Sequence, residues 1–407
     1  MKIFSVSELR KIIRNYKLEI ILTICLFSNL YSDIPSFLYY VLLLSMLFLA
    51  QQKKGKYTGE RAALAITMLF VIVLSSIVNL SLSMRIPIFI VIFLSTLILN
   101  SYQYYLLKRR ILRCFMWGFA LTVPLNYYAH LVGINYQLYS WIHIGEKFTL
   151  DFSGFTVHPM WLSAACGIAT IFFVYQMVNI YDKKGLAWSL LMLPLIYASV
   201  MVTVWGASRS ALGISIGAAL LLVYITNKNV SKTFGIVVLI SIMGVIALPR
   251  FVEGSERMQR KKEVNSITDN SRGALWTARV DEFISSPLWG IGFSATGIRE
   301  EKKVGRAETG SGWLTVLSQT GLIGFILILL IVKRAILPLR YLRENKEIAL
   351  FYALFIYMSL HTMFEAYLFQ GGWYLCFLYW LVVGVLDDYK KYRRFQFLGL
   401  ADKRKIG

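Results

Sequence analysis

The segment SGWLTVLSQTGLIGFILILLIV covers residues 311–332 and contains no Asp, Glu, Lys or Arg. An α-helix over these residues would be about 33 Å long, at about 1.5 Å per residue. This length matches the roughly 30 Å of hydrocarbon in a lipid bilayer. The segment therefore predicts a transmembrane helix.

Apolar runs of similar length recur on both sides of this segment. The predicted spans are 18–32, 34–50, 62–80, 86–107, 111–132, 158–181, 186–205, 210–226, 234–249, 311–332, 349–365 and 367–386. Hydrophobic residues make up 57% of the 407 residues and the mean hydropathy is +0.59, which is more apolar surface than a soluble domain buries. We predict an all-α polytopic membrane protein with about 12 transmembrane helices.

The basic residues indicate how these helices are oriented. The formal charge of +21 comes largely from short clusters between apolar runs, at 53–56, 108–110, 183–184, 228–232 and 333–346, and from the two tails. Such clusters mark the cytoplasmic side and contact anionic headgroups, so they do not indicate nucleic-acid binding. Both termini are therefore predicted to be cytoplasmic.

One long polar segment divides the chain. We predict nine transmembrane helices in residues 1–249, a large outer loop with short helices in 250–310, and three further helices with a basic tail in 311–407. No internal repeat and no broken helix is evident, which disfavours a transporter. The four cysteines, at 25, 114, 166 and 376, lie in apolar segments without disulfide or metal spacing, so we interpret them as packing residues.

Two arginines fall on the predicted outer side close to apolar spans. Arg209 lies in Gly206–Ala211 with almost no loop around it, and Arg85 precedes the span at 86–107. Each arginine has two interpretations. It either extends its side chain to the lipid headgroup region, or it is a fixed cation that binds a phosphate group through two guanidinium donors. For Arg85 the first interpretation is favoured.

The outer loop is predicted to contain a helix from Ser271 to Phe283. Arg272, Trp276, Arg279 and Phe283 would share one face, with the two guanidiniums about 10 Å apart. A diphosphate on one arginine and a second anion on the other, with Trp276 against a sugar, would fit this face. The alternative is a helix lying on the membrane with its arginines at headgroups.

Three further positions are candidates for chemistry. Glu308 is either a general base for a sugar hydroxyl or an acid favoured by the start of the next helix. Glu365 follows His361 by four residues, which is too few ligands to indicate a metal site. His158 and Trp161 either bind substrate or mark a helix start with an interfacial tryptophan.

Four stretches together resemble the O-antigen ligase and polymerase superfamily, specifically Wzy-type repeat-unit polymerases. They are Ser153–Trp161, Ser208–Ala211, Arg272–Phe293 and Gly312–Gly324. The resemblance implies a metal-independent glycosyltransferase of the bacterial inner membrane. Such an enzyme uses undecaprenyl-diphosphate-linked oligosaccharide as donor and acceptor, needs no cofactor, and makes O-antigen, capsular or exopolysaccharide. A chain-length co-polymerase and a flippase would be its partners.

The resemblance also assigns residues. Arg209 and Arg272 match the family's functional arginines, and Arg279 with Gly290 fits an arginine–glycine pattern of some polymerases. Ligases of the superfamily carry a histidine where this chain has Glu308. This difference favours a polymerase over a ligase, which transfers glycan to lipid A core or protein. The expected catalytic residues are Glu308, Arg209 and Arg272. Arg279, Trp276, Arg85, His158, Trp161 and Glu365 are expected to bind substrate.

Overall fold

The fold was analysed in a computed structural model. It describes residues 17–31, 36–53, 56–57, 59–136, 152–206, 208–227, 235, 238, 272–295, 310–369 and 374–404. Within these ranges the regular secondary structure is helical, apart from one pair of two-residue strands; turns and loops connect these elements.

The helices and strands follow one another in this order. They are α1 (Lys17–Ser28), α2 (Ser36–Gln52), β1 (Lys56–Tyr57), α3 (Glu60–Val78), α4 (Arg85–Phe93), a π-helical turn (Leu94–Ile98), β2 (Leu99–Asn100), α5 (Tyr102–Leu131), α6 (Pro159–Lys184), α7 (Leu186–Ser189), a 3₁₀ turn (Leu190–Met192), α8 (Leu193–Trp205), α9 (Arg209–Thr226), α10 (Arg272–Ser285), α11 (Gly312–Ala335), α12 (Leu339–Glu344), α13 (Lys346–His361) and α14 (Tyr374–Arg404). The strands β1 and β2 pair antiparallel.

Length and composition identify five candidate membrane spans among the described residues. They are Glu60–Val78, Pro159–Lys184, Leu186–Trp205, Arg209–Thr226 and Gly312–Ala335, and shorter apolar helices accompany them. The protein is therefore a multi-pass integral membrane protein. The predicted total of about 12 spans remains a prediction, and the span predicted at 234–249 lies almost entirely outside the described residues.

The predicted boundary between the fourth and fifth spans is wrong. A single span was predicted at 86–107, but the helix ends at Ile98 and α5 begins at Tyr102. Ser101 caps α5, because its extended backbone lets the hydroxyl accept a hydrogen bond from the amide of Tyr104 at 3.0 Å. The basic residues 108–110 consequently lie within a helix instead of a loop.

A buried charge cluster joins α3, α5 and α14 on the basic side. The Arg61 guanidinium lies 2.6 Å from the Asp388 carboxylate, and Lys108 also contacts Asp388. Asn100 donates a hydrogen bond of 2.8 Å to the same carboxylate. Buried charges of both signs are tolerated when each is paired and hydrogen-bonded, so this cluster holds three helices in register.

Helix α6 lies at the centre of the packed helices, in contact with α5, α8, α9 and α13. Small residues permit this close packing. A Cβ at Gly167 would lie 2.6 Å from the hydroxyl oxygen of Tyr357 on α13. Helix α11 packs against α3, α10 and α14.

Candidate functional site

Helix α11 is broken at Gly321. The backbone there has φ 62° and ψ −166°, outside the helical region and readily adopted only by glycine. The break lies nine residues after the first residue of α11, about 14 Å along the helix axis. The prediction that no helix is broken is therefore wrong. Hydropathy does not reveal the break because the segment is apolar on both sides of it.

Residues 286–295, here called the inserted loop, occupy the break. The amide of Leu322 donates to the carbonyl oxygen of Pro287 at 2.8 Å, and the amide of Ile291 donates to that of Ser318 at 2.9 Å. A helix break leaves amides and carbonyls without helical partners, which is unfavourable within a membrane. The inserted loop supplies the missing partners from both sides of the break.

Two glycines allow the backbones to approach this closely. A Cβ on Gly321 would lie 2.3 Å from the carbonyl carbon of Leu288, and one on Gly290 would lie 2.3 Å from that of Gln319. Both distances are shorter than any van der Waals contact. Leu322 follows the break, and its amide is already hydrogen-bonded to the inserted loop. The half of α11 that follows the break, here called its inner half, therefore does not offer this amide to an anion.

Polar side chains at the C-terminal end of α3 bind the inserted loop and the adjoining part of α11. Asn79 donates to the carbonyl oxygen of Gly290 at 2.9 Å, and the hydroxyl of Ser76 accepts a hydrogen bond of 3.0 Å from the amide of Phe293. Ser75 donates to the carbonyl oxygen of Gln319 at 3.1 Å. Sequence reasoning missed these residues because each is short and polar, as many helix-packing residues are.

The predicted substrate ligand Arg85 lies at the end of the inserted loop. It begins α4, its side chain is exposed, and its Nη1 lies 3.5 Å from the hydroxyl oxygen of Ser294. The structure therefore brings Arg85 together with a loop that is 200 residues away in sequence.

The predicted helix in the long polar segment is confirmed as α10. Arg279 is buried and forms an ion pair of 2.7 Å with Glu282. Trp276 is 36% exposed, and its indole N–H donates to the carbonyl oxygen of Gly310 at 3.1 Å. Arg279 therefore faces the protein and Trp276 lies at its edge, while the side chain of Arg272 is outside the described residues.

Arg209 is the first residue of α9 and is exposed. The preceding turn packs tightly on the start of α6, since a Cβ on Gly206 would lie 2.2 Å from the hydroxyl oxygen of Ser163. His158 caps that end of α6, with its Nδ1 accepting a hydrogen bond of 3.2 Å from the amide of Met160. The predicted residues Arg209 and His158 therefore lie at adjoining helix starts.

Two other predicted residues accept hydrogen bonds at their backbone carbonyl oxygens. Trp161 is buried in the first turns of α6, where its carbonyl oxygen accepts a hydrogen bond of 3.3 Å from Tyr374. Glu365 lies half-buried in the turn after α13, and its carbonyl oxygen accepts one of 2.9 Å from Thr362. The carbonyl oxygen of Thr362 accepts from the amide of Gly312 at 2.7 Å, which ties this turn to the start of α11.

The predicted base, Glu308, lies outside the described residues. In the part of the chain that is described, no three His, Cys, Asp or Glu side chains are grouped as a metal site would require. His361 and Glu365 accordingly have no third metal ligand among the described residues.

Comparison with known protein families identifies the region that contains these features. Residues 193–329 match the Wzy_C family, described as O-Antigen ligase. The match covers about a third of the chain, including Arg209, α10, the inserted loop and the break at Gly321. Residues 193–329 are therefore similar to the Wzy_C domain, which agrees with the resemblance found in the sequence, and no curated protein matches the chain.

Proposed function

From this Wzy_C domain, we propose that the protein is a polymerase. It would join undecaprenyl-diphosphate-linked oligosaccharide repeat units at the outer face of the bacterial inner membrane. Members of the Wzy_C family are glycan ligases or polymerases, so a lipid-linked glycan is the general class of substrate.

The observation that carries the proposal is the exposure of two arginines, Arg85 and Arg209, at helix starts on the side opposite the basic clusters. On the basic side, Arg61 pairs with Asp388 at 2.6 Å and Arg113 with Glu347 at 2.7 Å. On the opposite side, Arg85 and Arg209 are exposed, and neither has a carboxylate at ion-pair distance within the described ranges. Exposed guanidiniums are suited to binding the phosphates of a lipid carrier.

The mechanism follows from the leaving group. A hydroxyl of the acceptor sugar attacks the anomeric carbon of the donor, the bond from that carbon to the diphosphate oxygen breaks, and Glu308 takes the hydroxyl proton. Arg209 and Arg272 stabilise the charge that develops on the departing diphosphate. Arg279 assists them electrostatically, and Glu365 is the reserve base.

The remaining predicted residues would hold the substrates in place. Trp276, at the edge of α10, is positioned to contact a sugar face, since its ring is partly exposed. His158 and Trp161 line the start of α6 beside Arg209. Undecaprenyl chains would lie against the apolar helix surfaces in the bilayer.

A ligase is the second candidate, and the family's own description as O-Antigen ligase favours it. A deletion strain distinguishes the two. Loss of a polymerase leaves single repeat units on the lipid carrier or attached singly to the acceptor, and complementation restores a ladder. Normal polymer that is made but not attached would instead identify a ligase.

A further inference from the structure

We infer that Gln319 is a positioning residue for phosphate binding. It holds Ser294, and Ser294 in turn restricts where the guanidinium of Arg85 lies. This inference rests on the proposed function, because it assigns the phosphate to the lipid diphosphate of the substrate. Gln319 lies in α11, two residues before the break at Gly321.

Gln319 is buried within a candidate membrane span and uses its whole amide on the inserted loop. Its side-chain oxygen accepts a hydrogen bond of 3.0 Å from the amide of Ser294, and its nitrogen donates to the carbonyl oxygen of Ala295 at 3.3 Å. Its own carbonyl oxygen accepts from the amide of Gly292 at 3.2 Å. A polar side chain in this setting is generally functional, since an apolar one would suit the span better.

The residue that Gln319 holds has an unusual backbone. Ser294 has φ 64°, in the left-handed region that non-glycine residues seldom occupy. Such conformations persist only where the surroundings impose them, and they concentrate at functional sites. The hydrogen bond that the Ser294 amide donates to the side-chain oxygen of Gln319 is one of the contacts that impose it.

The result is a defined position for the Ser294 hydroxyl. Its oxygen lies 3.5 Å from Nη1 of Arg85, on the exposed end of α4. Arginine loses side-chain freedom when it binds a phosphate, so a neighbour that restricts it beforehand raises the affinity. The chain of contacts from Gln319 to Ser294 to Arg85 supplies that restriction.

The phosphate could belong to undecaprenyl diphosphate or to a phospholipid headgroup, since guanidinium binds both. We assign it to the lipid diphosphate because the inserted loop lies within the Wzy_C domain. A binding measurement separates the two sources. The full chain is placed in nanodiscs of phosphatidylcholine, and its affinities for undecaprenyl diphosphate and for phosphatidylglycerol are compared.

The variants are Gln319→Leu, Gln319→Glu, Ser294→Ala, Arg85→Ala and the double variant Gln319→Leu/Arg85→Ala. Thr315→Val is the matched control, because Thr315 is buried on the same helix and its hydroxyl bonds only the carbonyl oxygen of Ser311. Gln319→Glu keeps the oxygen that accepts from Ser294 but loses the donor to Ala295 and buries a charge, so it should bind no better than Gln319→Leu.

We expect Gln319→Leu and Arg85→Ala each to weaken binding of undecaprenyl diphosphate about tenfold, the scale of one lost charge-assisted contact. The double variant should be no weaker than Arg85→Ala, because Gln319 acts through Arg85. Thr315→Val should bind as the parent does. A purely structural role of Gln319 would instead make the losses of affinity in the two single variants additive in the double variant.

Three results overturn the inference. They are additive losses of affinity in the double variant, binding of undecaprenyl diphosphate by Gln319→Leu at the parental affinity, and equal affinities of the parent for phosphatidylglycerol and undecaprenyl diphosphate. Failure of the proposed function looks different. In that case the binding pattern holds as expected, but the purified protein forms no glycan chain from lipid-linked repeat units.

Discussion

The amide of Leu322 donates to the carbonyl oxygen of Pro287 at 2.8 Å, so the inner half of α11 continues its hydrogen bonding into the inserted loop. The loop thereby supplies hydrogen-bond partners to the backbone groups that the helix break exposes, which is favourable inside a membrane. This junction lies within the residues that match the Wzy_C family, and it joins α10 to the candidate membrane span α11.

The first prediction concerns Gly321. We expect Gly321→Ala to lower the free energy of unfolding by about 1–3 kcal/mol or more, from backbone strain and the clash with Leu288. Thermal unfolding in detergent measures this. Gly217→Ala is the control, because Gly217 lies within α9 with no atom near its Cβ position. Equal melting temperatures for both variants would contradict the role given to the break.

The second prediction concerns the buried charge cluster. Asp388→Ala leaves the Arg61 and Lys108 cations buried without that partner, and breaking a buried pair costs about 3–5 kcal/mol. We expect a large loss of folded protein, measured by size-exclusion chromatography after expression. Asp281→Ala removes an exposed carboxylate of α10 and should change the yield little.

The sequence was sufficient to predict the five candidate membrane spans and α10, because hydropathy and local capping signals are carried by neighbouring residues. It was not sufficient for the junction at Gly321, where the backbone hydrogen bonds join residues 27 to 35 positions apart. The start of α5 at Tyr102 was missed for a related reason: the apolar run continues through Ser101, whose capping role depends on its backbone angles. The role of Arg85 as an outer cation remains a prediction, and its contact with Ser294, 209 residues away, was not predictable from the sequence.

The third prediction concerns the arginines. Arg209→Ala and Arg272→Ala should each reduce chain growth by at least about 100-fold, as expected when a group that stabilises developing charge is removed. Lysine should restore little, since it lacks the paired donors of guanidinium. The assay is the polymer ladder of complemented cells at matched expression, with Arg340→Ala as the control on the basic side. A normal ladder from either alanine variant removes that residue from the site.

The fourth prediction concerns Glu308. Glu308→Gln should bind the lipid-linked repeat unit as the parent does but form polymer roughly 100-fold more slowly, the scale of losing a general base. If Glu308 only caps a helix or pairs at the surface, its contribution is about 0.2–1 kcal/mol and turnover should not change. Binding and single-turnover rates of the purified variant distinguish these roles.

The most direct measurement is incubation of the purified protein with a lipid-linked repeat unit alone, in the presence of EDTA, followed by gel electrophoresis of the glycan. The account predicts a ladder of products that differ by one repeat unit, formed without metal, nucleotide or further acceptor. Unchanged substrate would contradict a polymerase, particularly if product appears only when lipid A core is added. A ladder that needs a divalent ion would contradict the metal-independent mechanism.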